Sequence, residues 1–254
     1  MAWVTKDSTE SYRDQKEPEK VYSKKEKAAN WWLYHKWIVL GSVIGVIAIV
    51  WIVKDTVFQT RPDYQVAYVG ITNLPDDATQ ALTTALEDFC DDKNGDGQVV
   101  VQLNQYTVDF DSGNDATDAY NQMAGVTKLS ADLSNNNSSY IFLLQDPEGF
   151  ENQTGALQYL DATLPDYDDE AETHSMDWQK MVYRWTDCPV LMGLDLGSFT
   201  GYTALDDAQG SNQEVLKNLY IGYRGLWNDK FSEGYDSNSF LWQALTAGAT
   251  STAQ

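Results

Sequence analysis

The sequence predicts an α/β domain with a mostly parallel sheet and helices on both faces, preceded by one transmembrane helix. Three observations support this fold class. An apolar run without charges lies near the N-terminus, β-rich segments alternate with helical ones beyond it, and 43% of the 254 residues are hydrophobic. That apolar content is enough for a sizeable core. Because parallel neighbours need crossover connections, the βαβαβα order favours a mostly parallel sheet.

The apolar run extends from Trp37 to Val53, and its seventeen residues include no charge. This length is at the short end for a membrane-spanning helix, but Trp31 and Trp32 at one border and Trp51 near the other provide interfacial anchors. No cleavage site of the small-x-small type follows the run. The sequence therefore predicts an uncleaved signal anchor.

The basic residues predict the orientation of this helix. Eight Lys and Arg residues precede Trp37, whereas the first stretch beyond the helix has Lys54 and Arg61. Under the positive-inside rule the N-terminus is cytoplasmic and the C-terminal domain is extracellular, as in a single-pass cell-membrane protein. Three segments are then expected: a mostly disordered cytoplasmic tail over 1–30, the juxtamembrane segment and helix over 31–54, and an extracellular domain over 60–254.

The predicted outer domain is strongly acidic. Residues 60–254 contain 8 basic and 31 acidic residues, a formal charge of −23. A field of this sign attracts cations and repels phosphate backbones, so nucleic acid is disfavoured as a partner. Two Cys and two His in the chain leave too few ligands for a Cys/His metal cluster or a His-dependent triad. The sequence contains no nucleotide-binding loop, nucleophile elbow or metalloprotease motif.

Apolar periodicity assigns the elements of this domain in order. Ala78, Leu82 and Leu86 recur at helical spacing, which predicts a helix over 76–90. The other predicted helices are 115–133, 147–160 and 237–248. The predicted strands are 64–70, 98–110, 140–146, 189–195 and 218–226. An acidic loop over 164–178 interrupts the alternation.

The segment Asp92–Val99, DKNGDGQV, carries the sharpest local signal. Its oxygen donors occupy positions 1, 3, 5 and 7 of a calcium loop: Asp92, Asn94, Asp96 and Gln98. Gly97 suits the sharp turn at position 6, but position 12, normally a bidentate Glu, is Leu103. A remote carboxylate would have to replace that ligand. Two interpretations stay open, a Ca²⁺ site at these four residues or a plain turn that needs no metal.

The two cysteines also allow two interpretations. In an exported domain Cys90 and Cys188 form either one disulfide or two free thiols. The disulfide would close a long loop and stabilise the fold by up to about 4.7 kcal/mol in the chain-entropy model. A nucleophilic role is disfavoured, because His174, the one imidazole in residues 60–254, lies in the acidic loop.

Four segments carry a resemblance to a known family: WWLYHKW at 31–37, DKNGDGQVVVQLNQY at 92–106, FLLQDPEGF at 142–150 and YRWTDCPVLMGLDLG at 183–197. Together they resemble uncharacterised single-span bacterial membrane proteins with an extracellular α/β domain, and the similarity covers most of the chain. More loosely, the outer domain is similar to one lobe of a type 2 periplasmic solute-binding protein. Such proteins close two lobes on a ligand, and this chain has residues for one. The resemblance implies a fold and a membrane location but no established activity.

An acidic outer domain without an assembled catalytic set favours a membrane-anchored extracellular binding or interaction module, stabilised by calcium if Asp92–Val99 holds Ca²⁺. Its partners are then the membrane and an extracellular ligand or protein. The alternative is an extracellular hydrolase that uses carboxylates or a metal, for which acidic pairs such as Asp206 and Asp207 are available. Adjacency in sequence does not give the facing geometry that such catalysis needs. Aromatic residues between Trp178 and Trp227 suit either core packing or the binding of a sugar or cation.

Overall fold

The computed structural model describes residues 22–57, 61–110, 116–135, 138–166, 177–200 and 209–251. The chain divides into two compact units, Met1–Gln59 and Thr60–Gln254. The second unit corresponds to the predicted outer domain. The first 21 residues of the predicted tail, most of the acidic loop with His174, and the pair Asp206 and Asp207 lie outside the described residues.

The first unit contains one long helix, α1 (Lys24–Val57), of 34 residues. Its stretch Lys24–Lys54 is long and apolar enough to cross a membrane by length and composition, which makes it a candidate membrane span or signal sequence. The helix begins inside the segment that was predicted as a tail. A capping box explains this start, because Ser23 Oγ accepts the Glu26 N–H at 3.3 Å and Glu26 Oε2 accepts the Ser23 N–H at 2.8 Å.

The second unit alternates strands and helices, as predicted for the α/β class. In chain order its elements are β1 (Tyr64–Gly70), α2 (Asp76–Glu87), β2 (Val101–Thr107), α3 (Ala116–Leu133), β3 (Ile141–Leu144), α4 (Pro147–Thr154), β4 (Val182–Arg184), α5 (Pro189–Met192), β5 (Ser198–Thr200), β6 (Gln209–Ser211), α6 (Asn212–Leu216), β7 (Tyr220–Tyr223) and α7 (Ser232–Leu245). Single 3-10 turns occupy Trp178–Lys180, Trp185–Asp187 and Asp229–Phe231.

Five strands form a mixed sheet in the order β2-β1-β3-β7-β4. β1 is parallel to both neighbours, and Val66 lies opposite Leu103 of β2 and Ile141 of β3. β7 is antiparallel to β3 and to β4. The predicted parallel arrangement is therefore confirmed in the core of the sheet, while the β7 pairings are antiparallel. β5 and β6 form a separate antiparallel pair.

Alternating residues of β1 contribute to two different hydrophobic clusters. Val66 and Tyr68 share one cluster with leucines of α2 and with residues of α7. Ala67 and Val69 share the other with Leu129 of α3 and with residues of α4. Because successive side chains of a strand point to opposite sides, β1 is buried on both of its sides.

The predicted strand over 189–195 is wrong, because Pro189–Met192 form the short helix α5. Pro189 takes the first helical position, where its fixed φ is compatible with a helix and its missing N–H leaves no hydrogen bond unmade. Leu191 is buried in the core from this helix. An apolar run of this length does not distinguish a buried strand from a buried helical turn, and the flanking proline favoured the turn.

Several other predicted boundaries were displaced: β7 occupies Tyr220–Tyr223 rather than 218–226, and α7 begins at Ser232 rather than at residue 237. α4 ends at Thr154 rather than at residue 160, because Gly155 adopts a left-handed conformation with φ of 55° and its N–H caps the helix on the Glu151 carbonyl. β2 occupies Val101–Thr107 rather than 98–110. The residues before it belong to the loop that follows α2.

Gly125 lets α3 approach the end of β2, since a Cβ at this position would collide with the carbonyl oxygen of Thr107. We expect Gly125→Ala to lower the free energy of unfolding by about 1–3 kcal/mol, although Ala is favoured over Gly inside a helix by about 1 kcal/mol. Urea denaturation of the full chain in detergent micelles, followed by circular dichroism, measures the change. Ser130→Ala, at an exposed position of the same helix, should change stability by about 0.5 kcal/mol or less. A stabilised Gly125→Ala variant would contradict the close approach.

Candidate functional site

The predicted calcium loop, Asp92–Val99, leads from α2 to β2, and Asp63 anchors it. Asp63 lies just before β1, and its Oδ1 accepts the N–H groups of Lys93 and Asn94, both at 3.0 Å. Its Oδ2 accepts the N–H of Val100 at 2.9 Å. A hydrogen bond from a backbone N–H to an ionised carboxylate is stronger than a hydrogen bond between two neutral groups. Sequence reasoning missed Asp63, because it is remote from the motif in the chain and no local pattern marks it.

Asp92 folds the first half of the loop around its own carboxylate. Its Oδ1 accepts the N–H of Gly95 at 2.6 Å and its Oδ2 accepts the N–H of Gly97 at 2.8 Å. The two glycines have φ of 72° and 85°, a left-handed conformation in which a side chain would be strained. The two positive-φ turns therefore explain both glycines of the motif.

Asn94 and Asp96 form two further turns of the same kind. The Oδ1 of Asn94 accepts the N–H of Asp96 at 2.8 Å, and the Oδ1 of Asp96 accepts the N–H of Gln98 at 2.9 Å. The structure thus brings the three predicted side-chain ligands together in one loop. Turns of this type form with or without a metal ion.

The oxygen donors of this loop fit Ca²⁺ in part. Two carboxylates, one amide oxygen and the backbone carbonyl of Gln98 are hard ligands, and an oxygen that accepts an N–H keeps a second lone pair. Calcium takes about 6–8 oxygen ligands, so water would complete the set. Leu103, at position 12, packs against a hydrophobic cluster instead. Within the described ranges, no three His, Cys, Asp or Glu side chains form a group that could hold a metal ion.

A cleft of about 350 Å³ adjoins this loop, and we call it the loop cleft. It lies between the segment that enters β1, the calcium-like loop and the first turns of α7. Its lining is mostly polar: Pro62, Asp63, Gln65, Lys93, Asn94, Ser138, Tyr140, Lys230, Glu233, Gly234, Ser237 and Asn238. Because Lys93 and Asn94 belong to the loop as well, the conformation of the loop shapes the cleft.

Lys93, one of the residues that line the loop cleft, has a partly desolvated ammonium group. The Nζ of Lys93 lies 3.2 Å from the centroid of the Tyr64 ring, a cation–π contact. Burial of the ammonium group lowers the pKa of Lys93 to about 8, although the carboxylates of Asp91 and Asp63 act in the opposite direction. The Tyr64 hydroxyl donates a hydrogen bond to Asp91, and burial together with this bond raises the pKa of Tyr64.

Asn238, another lining residue, has a buried acceptor without a donor among the described residues. Asn238 of α7 is 7% exposed, and its Nδ2 donates to the Gly234 carbonyl at 2.7 Å. Its Oδ1 is buried and has no hydrogen-bond partner in the described part of the chain. The Nδ2 bond fixes the amide, because a flip would place Oδ1 against the carbonyl oxygen. An unsatisfied buried acceptor of this kind costs about 1–3 kcal/mol.

The aromatic residues between Trp178 and Trp227 are divided between core and surface. Trp185 and Tyr223 are fully buried, which confirms core packing for these two. Trp178 packs edge-to-face on Tyr220 with ring centroids 5.7 Å apart. Trp227 is 42% exposed and does not line the loop cleft.

Both cysteines are free thiols. Cys188 is buried in the core, and Cys90 is half-buried after the end of α2. Burial raises the pKa of Cys188 to about 12, and the neighbouring Asp187 carboxylate acts in the same direction. A thiol with this pKa is protonated at neutral pH and is a weak nucleophile. The structure therefore agrees with the free-thiol interpretation.

Asp63→Ala should release the loop. The variant leaves the N–H groups of Lys93, Asn94 and Val100 without their acceptor, and a hydrogen bond to a charged group is worth about 1.5–3 kcal/mol. We expect hydrogen exchange of these amides to accelerate by about tenfold or more. Exchange mass spectrometry of the full chain measures this, with Asp166→Ala at an exposed position as the control. Unchanged exchange in Asp63→Ala would argue against the anchoring role.

Cys188 should resist alkylation until the domain unfolds, because its thiol is buried and protonated. Full-length protein treated with iodoacetamide near neutral pH, without reductant, should leave Cys188 unmodified, and denaturation should expose both thiols. Mass spectrometry of the peptides reports each site. If neither cysteine reacts after denaturation without reductant, a disulfide joins them and the free-thiol state is wrong.

No protein-family model matches the chain, and no curated protein or solved structure shows significant similarity to it. The resemblance to single-span bacterial membrane proteins and to a lobe of a solute-binding protein therefore stays a prediction. Inferences about function rest on the loop, the loop cleft and their side chains.

Proposed function

We propose that residues 60–254 act as a membrane-anchored extracellular binding module and that the loop cleft binds a small zwitterionic solute. One observation carries this proposal: among the described residues, no donor reaches the Oδ1 of Asn238, a buried acceptor on a residue that lines the loop cleft. A ligand N–H that bonded to it would remove a penalty of about 1–3 kcal/mol. The volume of about 350 Å³ is also within the usual range for small-molecule sites.

The charged groups of the cleft favour a ligand that carries both signs. Lys93 and Lys230 line this cleft, although residues 60–254 contain 8 basic residues in all. Their ammonium groups suit the carboxylate of a solute. Glu233 and the amide oxygen of Asn238 suit its ammonium group. Asp63 also brings a carboxylate to the cleft, but its oxygens already accept backbone N–H groups, so its main role is to shape the cleft.

We infer that the sheet holds this cleft rigidly, with helices on both faces. The division of β1 between two hydrophobic clusters supports this arrangement. Asp63 and Gln65 lie at the start of β1, while Ser138 and Tyr140 lie just before β3, and all four line the cleft. Because β1 and β3 pair directly, their N-terminal ends keep a fixed separation.

We propose further that α1 is an uncleaved signal anchor, with the N-terminus in the cytoplasm and residues 60–254 outside. The excess of Lys and Arg before Trp37 over Lys54 and Arg61 after the apolar run supports this orientation. The length and apolar character of Lys24–Lys54 support a membrane span. An anchored module of this kind would keep its ligand site on the extracellular side of the membrane.

We also propose that Ca²⁺ stabilises the loop through Asp92, Asn94, Asp96 and Gln98. The oxygen donors already lie together, and extracellular modules use sites with dissociation constants of about 10⁻⁴–10⁻³ M. The ion would supply a fixed positive charge that holds two carboxylates close together. The chain itself orients the donors through the N–H groups of the loop and through Asp63.

The zwitterion site is tested by calorimetric titration of the full chain in nanodiscs with the standard amino acids, each in turn. We expect at least one to bind, and we expect Asn238→Leu and Lys230→Gln to weaken its binding by about tenfold, the value of one hydrogen bond to a charged group. Asn238→Leu should also stabilise the unliganded protein, because it removes the unsatisfied acceptor.

Two matched controls accompany these variants. Asn212→Leu removes the other unpartnered buried amide oxygen, and Lys217→Gln removes an exposed lysine outside the cleft. Both should leave amino-acid binding unchanged. If no amino acid binds, or if the control variants weaken binding as much as the cleft variants, the proposed function is wrong.

The calcium proposal predicts that Ca²⁺ at millimolar concentration raises the unfolding temperature of the chelator-treated full chain, because the ion binds the folded loop. Differential scanning fluorimetry measures the shift, and magnesium at the same concentration should give a smaller one, since it needs stricter octahedral geometry. Asp96→Ala should abolish the calcium shift, while Asp166→Ala should retain it. A shift that survives Asp96→Ala would identify the loop as a plain turn.

A further inference from the structure

A second concave surface, separate from the loop cleft, has a different chemistry. It is a groove of about 760 Å³ between one side of α2 and the segment Gly193–Ser198, and we call it the acidic groove. Its charged lining residues among those described are Asp77, Asp88 and Asp195, all acidic. The two concave surfaces share no lining residue.

The carboxylates of α2 lie at the two ends of the acidic groove. Asp77 is in the first turn of α2 and Asp88 caps its C-terminus, so they are eleven residues apart. Eleven residues make about three turns, which puts both carboxylates on the same side of the helix and about 16 Å apart along its axis. The groove therefore presents negative charges at a defined spacing rather than one compact acidic cluster.

The surface between these carboxylates is partly apolar. On α2 it consists of Ala81 and Ala85 together with the polar residues Gln80 and Thr84, and Phe89 and Leu194 complete this part of the lining. The two alanines leave room for a thin aliphatic chain along the helix, and burial of methylene groups against them is favourable. The combination of charged ends and a partly apolar middle matches a ligand with the same alternation.

An independent observation points to a missing donor at this groove. Asn212 of α6 lines it and is 2% exposed. Its Nδ2 donates to the Leu196 carbonyl at 2.7 Å and its backbone N–H donates to the Gly197 carbonyl at 3.1 Å, so its amide is fixed. Its Oδ1 is buried and has no hydrogen-bond partner among the described residues. An N–H from a ligand is the group that this oxygen lacks.

We propose that the acidic groove binds a linear alkyl oligoamine, an aliphatic chain with protonated amines whose outer charges are about 16 Å apart. Asp77 and Asp88 hold the outer ammonium groups, Asp195 faces an inner one, and Ala81 and Ala85 contact the methylene groups. An amine N–H satisfies the Oδ1 of Asn212. The formal charge of −23 on residues 60–254 steers such a cation to the domain. This site does not depend on the zwitterion site or on calcium.

The test is calorimetric titration of the full chain in nanodiscs of pure phosphatidylcholine, whose headgroups carry no net charge. The probes are 1,4-diaminobutane, spermidine, spermine and Mg²⁺, all at the same ionic strength. Spermine should bind more than about tenfold tighter than diaminobutane, since only the longer chain reaches both carboxylates, each worth about fivefold at an exposed position. Affinity that depends on charge alone and not on chain length would overturn the proposal.

Variants locate the binding site. Asp77→Asn and Asp88→Asn should each weaken spermine binding by about fivefold, and Asn212→Leu by about tenfold. Asp166→Asn removes one negative charge outside the groove, and Asn238→Leu removes the unpartnered amide of the loop cleft; both should leave spermine affinity unchanged. Because Asp88 is exposed, its variant folds even if Asn212→Leu does not. The site would be refuted if Asp166→Asn lowered spermine affinity as much as the groove variants do, or if spermine did not bind at all.

A further titration, with a basic peptide in place of spermine, distinguishes an oligoamine site from a site for a basic polypeptide. A penta-lysine peptide carries similar charge on a thicker backbone, and we expect it to bind more weakly than spermine. If it binds more tightly, and Asp88→Asn weakens it, the groove recognises basic protein segments and the oligoamine assignment is wrong.

Discussion

The carboxylate of Asp63 joins the start of β1 to both ends of the calcium-like loop, which lies more than about thirty residues further along the second unit. It accepts backbone N–H groups from both ends of the calcium-like loop, at Lys93 and Asn94 and at Val100. Its own N–H and that of Tyr64 donate to the Val100 carbonyl, so the start of β1 and the start of β2 are held by the same residues. These bonds fix both ends of the loop against the start of β1, and Asp63 itself lines the loop cleft.

Local patterns in the sequence were enough to predict most of the longer helices and strands of the second unit. Helical spacing of Leu82 and Leu86 located α2, and alternating β-rich segments located β1, β2 and β3 in a parallel core. The failures have a physical reason. The segment after Cys188 is apolar enough to form a strand, but it forms the short helix α5 instead. The one local signal for the helix is Pro189, because proline is favoured at the first position of a helix. The antiparallel pairing of β7 depends on long-range contacts that no local pattern encodes.

The candidate site shows the same division between local and long-range information. Spacing alone placed Asp92, Asn94 and Asp96 in one loop, because Asx turns are determined within a few residues. The partners that give the loop its surroundings come from distant segments: Asp63 from the entry to β1, and Lys230 and Asn238 from the end of the chain. A cleft is a property of the tertiary fold, so its lining was not predictable from any one segment.

The two unpartnered amide oxygens suggest how stability and binding are related in this domain. Asn212 and Asn238 are both more than nine-tenths buried, both are fixed through Nδ2 on a backbone carbonyl, and both line a concave surface. Leucine at either position would remove an unsatisfied acceptor but would also lose the Nδ2 hydrogen bond, so each asparagine contributes less to stability than a fully satisfied amide would. Two lysines and the carboxylates of Asp63 and Glu233 line the loop cleft, whereas the charged lining residues described for the acidic groove are all carboxylates. Under the two proposals, this difference in charge determines which donor reaches each acceptor, a zwitterion at the loop cleft and a polycation at the acidic groove.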